Sequence, residues 1–270
     1  CRESRSVDLE IAEDWRQTDV PTLIADYAPR DIFNADETGL FFNVLPSKTF
    51  AIKGETCCGK KLSKNRLTVL LITNSDGSEK FPPLVIGKAQ NPWCFKNVKS
   101  LPTKYAANKK AWMTSKLFEK QLLSLDALMG AKKRKIILFL DRCLAHPTNL
   151  TLRNIKLAFS PPNCTSELQP LDLGIIRAFK HYYRKNLVQI LLSKLERGED
   201  PKNVKVSILD AMHYTVKAWG EIEEITIKNC FRKAGIVKEQ EDEIEDTSDE
   251  SLGGAGPETL VEDITEHKCY

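Results

Sequence analysis

Three aspartates stand where an acid could do chemistry. Asp141 follows Ile136–Leu140 in "KKRKIILFLDRCLAHP", five apolar residues that read as a strand buried on both faces. Asp36 lies in "DIFNADETGLFF", in a polar turn after an earlier apolar run, and Asp172 opens a long helical stretch, with thirty residues between it and Asp141. Clustered carboxylates repel one another unless cations sit between them, and hard oxygen ligands select Mg²⁺ or Mn²⁺. Two such ions about 3.5–4 Å apart suit phosphoryl transfer, one activating water or a 3′-hydroxyl and the other stabilising the leaving oxygen. Each acid alone also has a structural reading: Asp36 in a turn, Asp141 at a strand end, and Asp172 after Pro170 as an N-cap.

Other residues carry weaker signals of the same kind. His146 either orients a scissile strand, hydrogen-bonds Asp141, or is a satisfied structural histidine. Gln169 and Ser166 stand before Asp172 and either steady its loop or serve the turn. Cys143 and His146 can be imagined as ligands with Cys164, against the simpler reading of small apolar fillers. The eight cysteines include no C-x2-C pair, so neither a zinc site nor a disulfide framework is indicated, and reduced intracellular thiols are expected. Trp93 and Trp112, set among Lys96, Lys99, Lys104, Lys109 and Lys110, either stack on extruded bases or fill core and rim.

The elements that must position these groups follow from periodicity. A helical stretch near Ser6 to Trp15 leads through a Pro-punctuated connection to "DIFNADETGLFF"; "KTFAIKG" and "NRLTVLLITNSDG" are β-like, and "FPPLVIGKA" adds another apolar run. "TSKLFEKQLLSLDALMG" reads as an amphipathic helix with a Thr or Ser cap and a closing Gly130. The strand before Asp141 comes next, then the shorter run "IKLAFSPPN", then three helices beginning near Asp172, Val206 and Thr226. Early hairpin-like strands pair antiparallel, whereas strand–helix–strand succession pairs parallel, so the expected sheet is mixed. That order is the one expected of an α/β, ribonuclease H-like domain flanked by helices, with helices at its C-terminal end.

Net charge conceals two unlike parts. The formal +3 combines twelve acids and one lysine in residues 239–270 with a balance of +14 in residues 1–238. Residues 238–270 have the composition of a disordered acidic tail. The remaining positive charge favours a polyanion partner, with clusters at Lys60, Lys61, Lys64 and Arg66, at Lys132 to Lys135, and at Arg177, Lys180, His181, Arg184 and Lys185. "KKRK" at 132–135 also has the pattern of a nuclear-import signal. No apolar window approaches a membrane span, and the start at Cys1 resembles neither a signal peptide nor an initiator segment, so a piece of a longer chain is expected.

"NADETGLFF", "LFLDRCLAHP" and "PPNCTSELQPLDLGIIRAFK" resemble the three catalytic blocks of the Tigger and pogo group of Tc1/mariner-type transposases, in the DDE superfamily endonuclease domain. The likeness covers about residues 1–237. It implies cut-and-paste DNA strand transfer with two divalent metals (Mg²⁺ or Mn²⁺) on a triad mapping to Asp36, Asp141 and Asp172. It also implies that residues 1–30 lead in from an upstream helix-turn-helix module, that 31–237 form the ribonuclease H-like domain, and that related enzymes act as dimers. DNA contacts are expected from Arg142, His146, Lys61, Lys64, Arg66, Arg177, Lys180 and Arg184, with nuclear localisation and chromatin proteins as partners of the tail. Arg142 departs from the family's usual Asn after the second Asp. The alternative to an active endonuclease is a domesticated, catalytically silent DNA-binding or scaffold protein similar to centromere protein B. A metal-dependent phosphatase is a remote third reading, since no D-x-D strand is present.

Overall fold

The computed structural model describes residues 8–43, 65–147, 150–198 and 205–237. The expectations for "KTFAIKG", for Lys60, Lys61 and Lys64, and for the acidic tail lie outside the described residues. Cys1–Lys238 form one compact unit, and the description concerns that unit.

α1 (Leu9–Asp14) starts at Asp8, whose carboxylate accepts the Ile11 N–H at 3.2 Å. It continues through a π-helical turn (Trp15–Asp19) into α2 (Val20–Ile24), where Pro21 occupies a first-turn position whose N–H is not needed. The expected break after Trp15 is therefore absent. Ala12, Trp15, Val20 and Ile24 bury one face of this stretch.

β1 (Ile32–Phe41) corrects the reading of Asp36 as a turn residue: Asp36 and Glu37 lie in the middle of a ten-residue strand. Antiparallel pairing with β2 (Arg66–Asn74) runs without a gap from Phe33 opposite Asn74 to Phe41 opposite Arg66. A complete ladder satisfies the backbone through the polar residues, and this outweighs their turn propensity. β3 (Leu84–Gly87) and the short β4 (Lys104–Ala107) follow; β4 was not anticipated from its four mixed residues.

Next come α3 (Ser115–Ala131, capped by Thr114), β5 (Ile136–Leu140) and β6 (Ile155–Phe159). The chain then forms short α4 (Thr165–Leu168), a π-helical turn (Leu171–Ile175), α5 (Ile176–Glu196), α6 (Ile208–Gly220) and α7 (Glu224–Ala234). None of the described helices is long and apolar enough to cross a membrane.

The six strands are ordered β4-β3-β2-β1-β5-β6. β1–β2 and β2–β3 are antiparallel, whereas β3–β4, β1–β5 and β5–β6 are parallel. This is the mixed, ribonuclease H-like arrangement expected. Helices cover both faces. Ile32, Ile137 and Phe139 face a layer formed by the N-terminal helices and α5–α7. Phe33, Leu138 and Leu140 face α3 through Phe118, Leu122, Leu125 and Met129. β5 is buried on both faces, which is why its sequence is uninterruptedly apolar.

Candidate metal centre

Strand register brings the first two acids together. In the parallel β1–β5 pair Asn34 is opposite Phe139, so two residues further on Asp36 comes level with Asp141, the residue just past β5. Side chains alternate along a strand, so both acids project to the same face as Asn34 and Phe139, the α5 face.

The third acid is brought there by a buried polar network. Asn34 Nδ2 donates to the Phe139 carbonyl at 3.0 Å and to Gln169 Oε1, and its Oδ1 accepts the Leu171 N–H at 3.0 Å. Gln169 Nε2 in turn donates to Ser160 Oγ at 3.2 Å, and the Ser160 N–H donates to the Leu140 carbonyl at 3.0 Å. Asn34, Gln169 and Ser160 are all buried, so the β1, β5 and β6 ends and the turn carrying Asp172 are tied by fully desolvated bonds. The turn also packs closely on α7: a Cβ at Gly174 would stand 2.9 Å from Cys230 Sγ, so only glycine admits this approach. Asp172 itself is exposed and sits within the π-helical turn. Pro170 is the residue that precedes the turn, so Asp172 is not the N-cap its sequence suggested.

The electrostatics show the convergence. The Asp36 carboxyl is held well above its ordinary range by burial first, then by the negative charges of Asp172, Glu37 and Asp141; the Glu37 N–H, donating at 2.7 Å, opposes the shift. Asp141 Oδ1 is buried and receives no well-aligned hydrogen bond among the described residues. Crowded carboxylates, one of them with a buried oxygen, form an oxygen-rich donor set that fits a divalent cation.

His146 closes the site from the α3 side. It is buried, its Nδ1 lies 3.0 Å from the Asp141 carbonyl oxygen and 2.8 Å from Asp141 Oδ1, and its Nε2 lies 3.1 Å from Glu37 Oε1. The ring stacks on Phe118 at 4.2 Å between centroids. Burial pulls the imidazole pKa down, but the Asp141, Cys143 and Glu37 contacts outweigh it and raise the pKa above its ordinary value. Cys143 lies in the same loop, and ligand atoms of Asp141, Cys143 and His146 all fall within 4.8 Å of one another. Cys164 is not part of this group: it is buried, with Sγ 3.7 Å from the Asp8 carbonyl. Ser166 is exposed, whereas Gln169 belongs to the buried network.

The basic residues divide among several places. Asp172, Arg177, Lys180, His181 and Arg184 line a groove of about 760 Å³ along α5, recurring at the three- and four-residue spacing of one helix face. Burial and then Arg184 lower the Lys180 pKa, while Asp172 and Asp36 raise it, so Lys180 senses the carboxylate cluster directly. Arg142 is exposed in the loop after Asp141. Arg66 begins β2 and lies 5.1 Å over the Trp112 ring, with Trp112 itself 54% exposed. Trp93 is exposed, with Lys96 Nζ 4.7 Å over its ring. Lys132 and Arg134 of "KKRK" are engaged in ion pairs with Glu79 and Asp31.

The sequence reading missed Asn34 and Ser160, and gave Glu37 no role through His146. For Asn34 a signal existed: it stands two residues before Asp36, on the same face of a strand, where a buried amide must have partners.

The DDE superfamily endonuclease model matches residues 64–231, a span that includes Asp141 and Asp172 and begins after Asp36. The chain belongs to the DDE superfamily endonucleases. Within them it falls in the Tigger and pogo group of transposase-derived proteins. It is 41% identical over 234 residues to Tigger transposable element-derived protein 4 of Mus musculus, covering 87% of this chain and 45% of that protein. It is 35% identical over 222 residues to the major centromere autoantigen B of Homo sapiens, covering 82% of this chain and 36% of that protein. The chain thus spans less than half the length of either relative. Among solved structures, the Mos1 transposase paired-end complex with left transposon end is similar at a TM-score of 0.44 and 12% identity, over 86% of this chain and 64% of that one.

Proposed function

We propose that Asp36, Asp141 and Asp172 hold a pair of divalent cations, Mg²⁺ or Mn²⁺, and that this domain cuts and joins DNA strands at them. The observation that carries the reading is geometric: strand register sets Asp36 level with Asp141, and the Asn34 amide ties the turn bearing Asp172 to the same sheet edge. Bound there, the ions would activate water or a 3′-hydroxyl and stabilise the leaving oxygen. The protein's own contribution is placement. β1 and β5 set two acids by register, and the Asn34–Gln169–Ser160 network sets the third. His146 holds the Asp141 loop against Glu37 and Phe118. Arg177, Lys180 and Arg184 extend from Asp172 as a row of cations for a phosphate backbone. Arg142, exposed beside Asp141, reaches phosphate rather than the ions.

One observation favours a second reading within the same fold. An arginine follows Asp141 where the family resemblance implies asparagine, and a centromere protein is among the relatives. A catalytically silent DNA-binding domain would keep the basic groove and the nuclear setting while losing turnover. Pairing into a homodimer and contacts of residues 238–270 with chromatin proteins belong to either reading. Two of the four "KKRK" residues hold acids in place, so that segment contributes little to nuclear import.

Mn²⁺ calorimetry on the full chain, run alongside a plasmid-nicking assay, tests the proposal. Metal binding lost on Asp141→Ala, with metal-dependent nicking lost in parallel, supports the endonuclease. Metal binding without nicking selects the silent reading, and no metal binding overturns the centre.

A further inference from the structure

We infer that Trp112 is a stacking platform for an unpaired nucleobase beside the carboxylate cluster. The inference rests on the DNA reading above and adds a ligand subsite to it. An exposed tryptophan is informative only when something holds it outward, and here the backbone does so. Ala111, buried and with φ at 52°, adopts the left-handed conformation that L-residues with a Cβ avoid. The turn is closed by the Ala111 N–H on the Asn108 carbonyl at 3.0 Å, the Trp112 N–H on Asn108 Oδ1 at 3.2 Å, and Asn108 Nδ2 on the Trp112 carbonyl at 2.5 Å. Thr68 Oγ1 of β2 pins it to the sheet, donating to the Ala111 carbonyl at 2.7 Å.

Position and charge say what the ring faces. The Arg66 guanidinium lies 5.1 Å over the ring, and its Nε fills the space where a Gly39 side chain would begin, 3.2 Å from an ideal Cβ. Gly39 is three residues along β1 from Asp36, about 10 Å at strand rise, and on the α3 face that Glu37 also occupies, so Trp112 lies at the same end of the sheet as the cluster but on its α3 side. On the other side, Ser115 Oγ donates to the Leu144 carbonyl at 3.0 Å, tying the start of α3 to the loop that follows Asp141. Leu144 is fully exposed there. Arg66 adds positive charge over the ring, and the exposed Lys109 and Lys110 stand three and two residues before Trp112 in the same turn. A rigid aromatic surface among cations, within a few nucleotides' reach of a phosphoryl-transfer site, matches a base lifted out of a duplex end.

The test compares two DNA probes on the full chain in a Trp93→Phe background: a blunt duplex, and the same duplex ending in unpaired bases. Trp15 and Trp219 are buried, so Trp112 then supplies the exposed tryptophan fluorescence among the described residues. Quenching by the forked probe alone is expected. Trp112→Ala should weaken forked-probe binding about tenfold, with Trp112→Phe retaining most of it and blunt-duplex affinity unchanged. Equal forked-probe affinity in Trp112→Ala, or equal losses on both probes, overturns the platform while leaving the DNA reading intact. Binding of neither probe by the parent overturns both.

Discussion

The two ends of β5 treat acids in opposite ways. At its start, Arg134 pairs with Asp31 at 2.7 Å and with Glu79 at 2.6 Å, and Lys132 adds a contact to Glu79 at 2.5 Å. Burial raises the Glu79 pKa, but these bonds outweigh it and leave it below its ordinary value. At the other end, Asp36, Asp141 and Asp172 converge and Asp36 is driven the other way. The same strand therefore runs from a cluster in which opposite charges pair to one in which like charges crowd together. Compensation serves the fold. Crowding of like charge costs the fold, and a cation offsets it, so the crowded end is where binding is to be sought.

The largest effect expected from this contrast is on metal affinity. Asp36→Ala, Asp141→Ala and Asp172→Ala should each weaken Mn²⁺ binding by a factor on the order of 100, whereas Glu79→Ala leaves it unchanged. Glu37→Ala should fall between, because it acts through His146. Calorimetry reads all five. Comparable losses from Glu79→Ala would erase the distinction between the ends.

Next in size is the stability of the compensated end. Arg134→Met takes one partner from each of two acids and should lower unfolding free energy by about 1–2 kcal/mol in urea titrations. An unchanged midpoint would mean the network is worth no more than an ordinary surface pair.

The signs of the two pKa shifts separate the ends by pH. Glu79, depressed on folding, contributes stability that is present above its ordinary value of 4.5 and lost as pH falls through its lower folded value. Asp36, raised on folding, contributes stability present below its ordinary value of 3.8 and lost as pH rises through its higher folded value. In chelator at neutral pH, Asp36→Asn should therefore stabilise the chain by about 1 kcal/mol, a gain that vanishes in acid. Thermal melts across pH, with and without Mn²⁺, check this; destabilisation at neutral pH would sink it. The smallest effect is expected for Arg142→Asn, exposed beside Asp141: duplex DNA affinity should drop about twofold and Mn²⁺ affinity stay the same. A rise in Mn²⁺ affinity would instead place the guanidinium against the ions.

Much of the fold was legible. α3 followed from its cap and apolar spacing, β5 from its apolar run, and the mixed sheet from the order of its strands. Asp141 was legible as the acid past a buried strand, and Asp172 as one the chain returns to the same edge. What failed were local readings. "NADETG" has turn composition, yet a nine-residue ladder with β2 holds it extended. "PLDLG" reads as a capped helix start, yet it forms a π-helical turn gripped by Asn34 and Gln169. Four mixed residues at Lys104 gave no strand signal, because an edge strand owes its existence to its neighbour, β3.

The sequence by itself determined which residues could ligate and that they belong to a mixed sheet, with Asp141 just past the end of a buried strand. Periodicity and composition are local properties, read from neighbours in the chain. Only the tertiary structure decided that Asp36 and the next residue, Glu37, would part company, one joining the carboxylate cluster and the other holding His146. That outcome depends on strand register, where a shift of one residue exchanges the two faces, and on a buried amide 135 residues away from its partner Gln169. Long-range pairing of this kind leaves no periodic trace, since the energy that selects it comes from satisfying desolvated polar groups after the chain has folded.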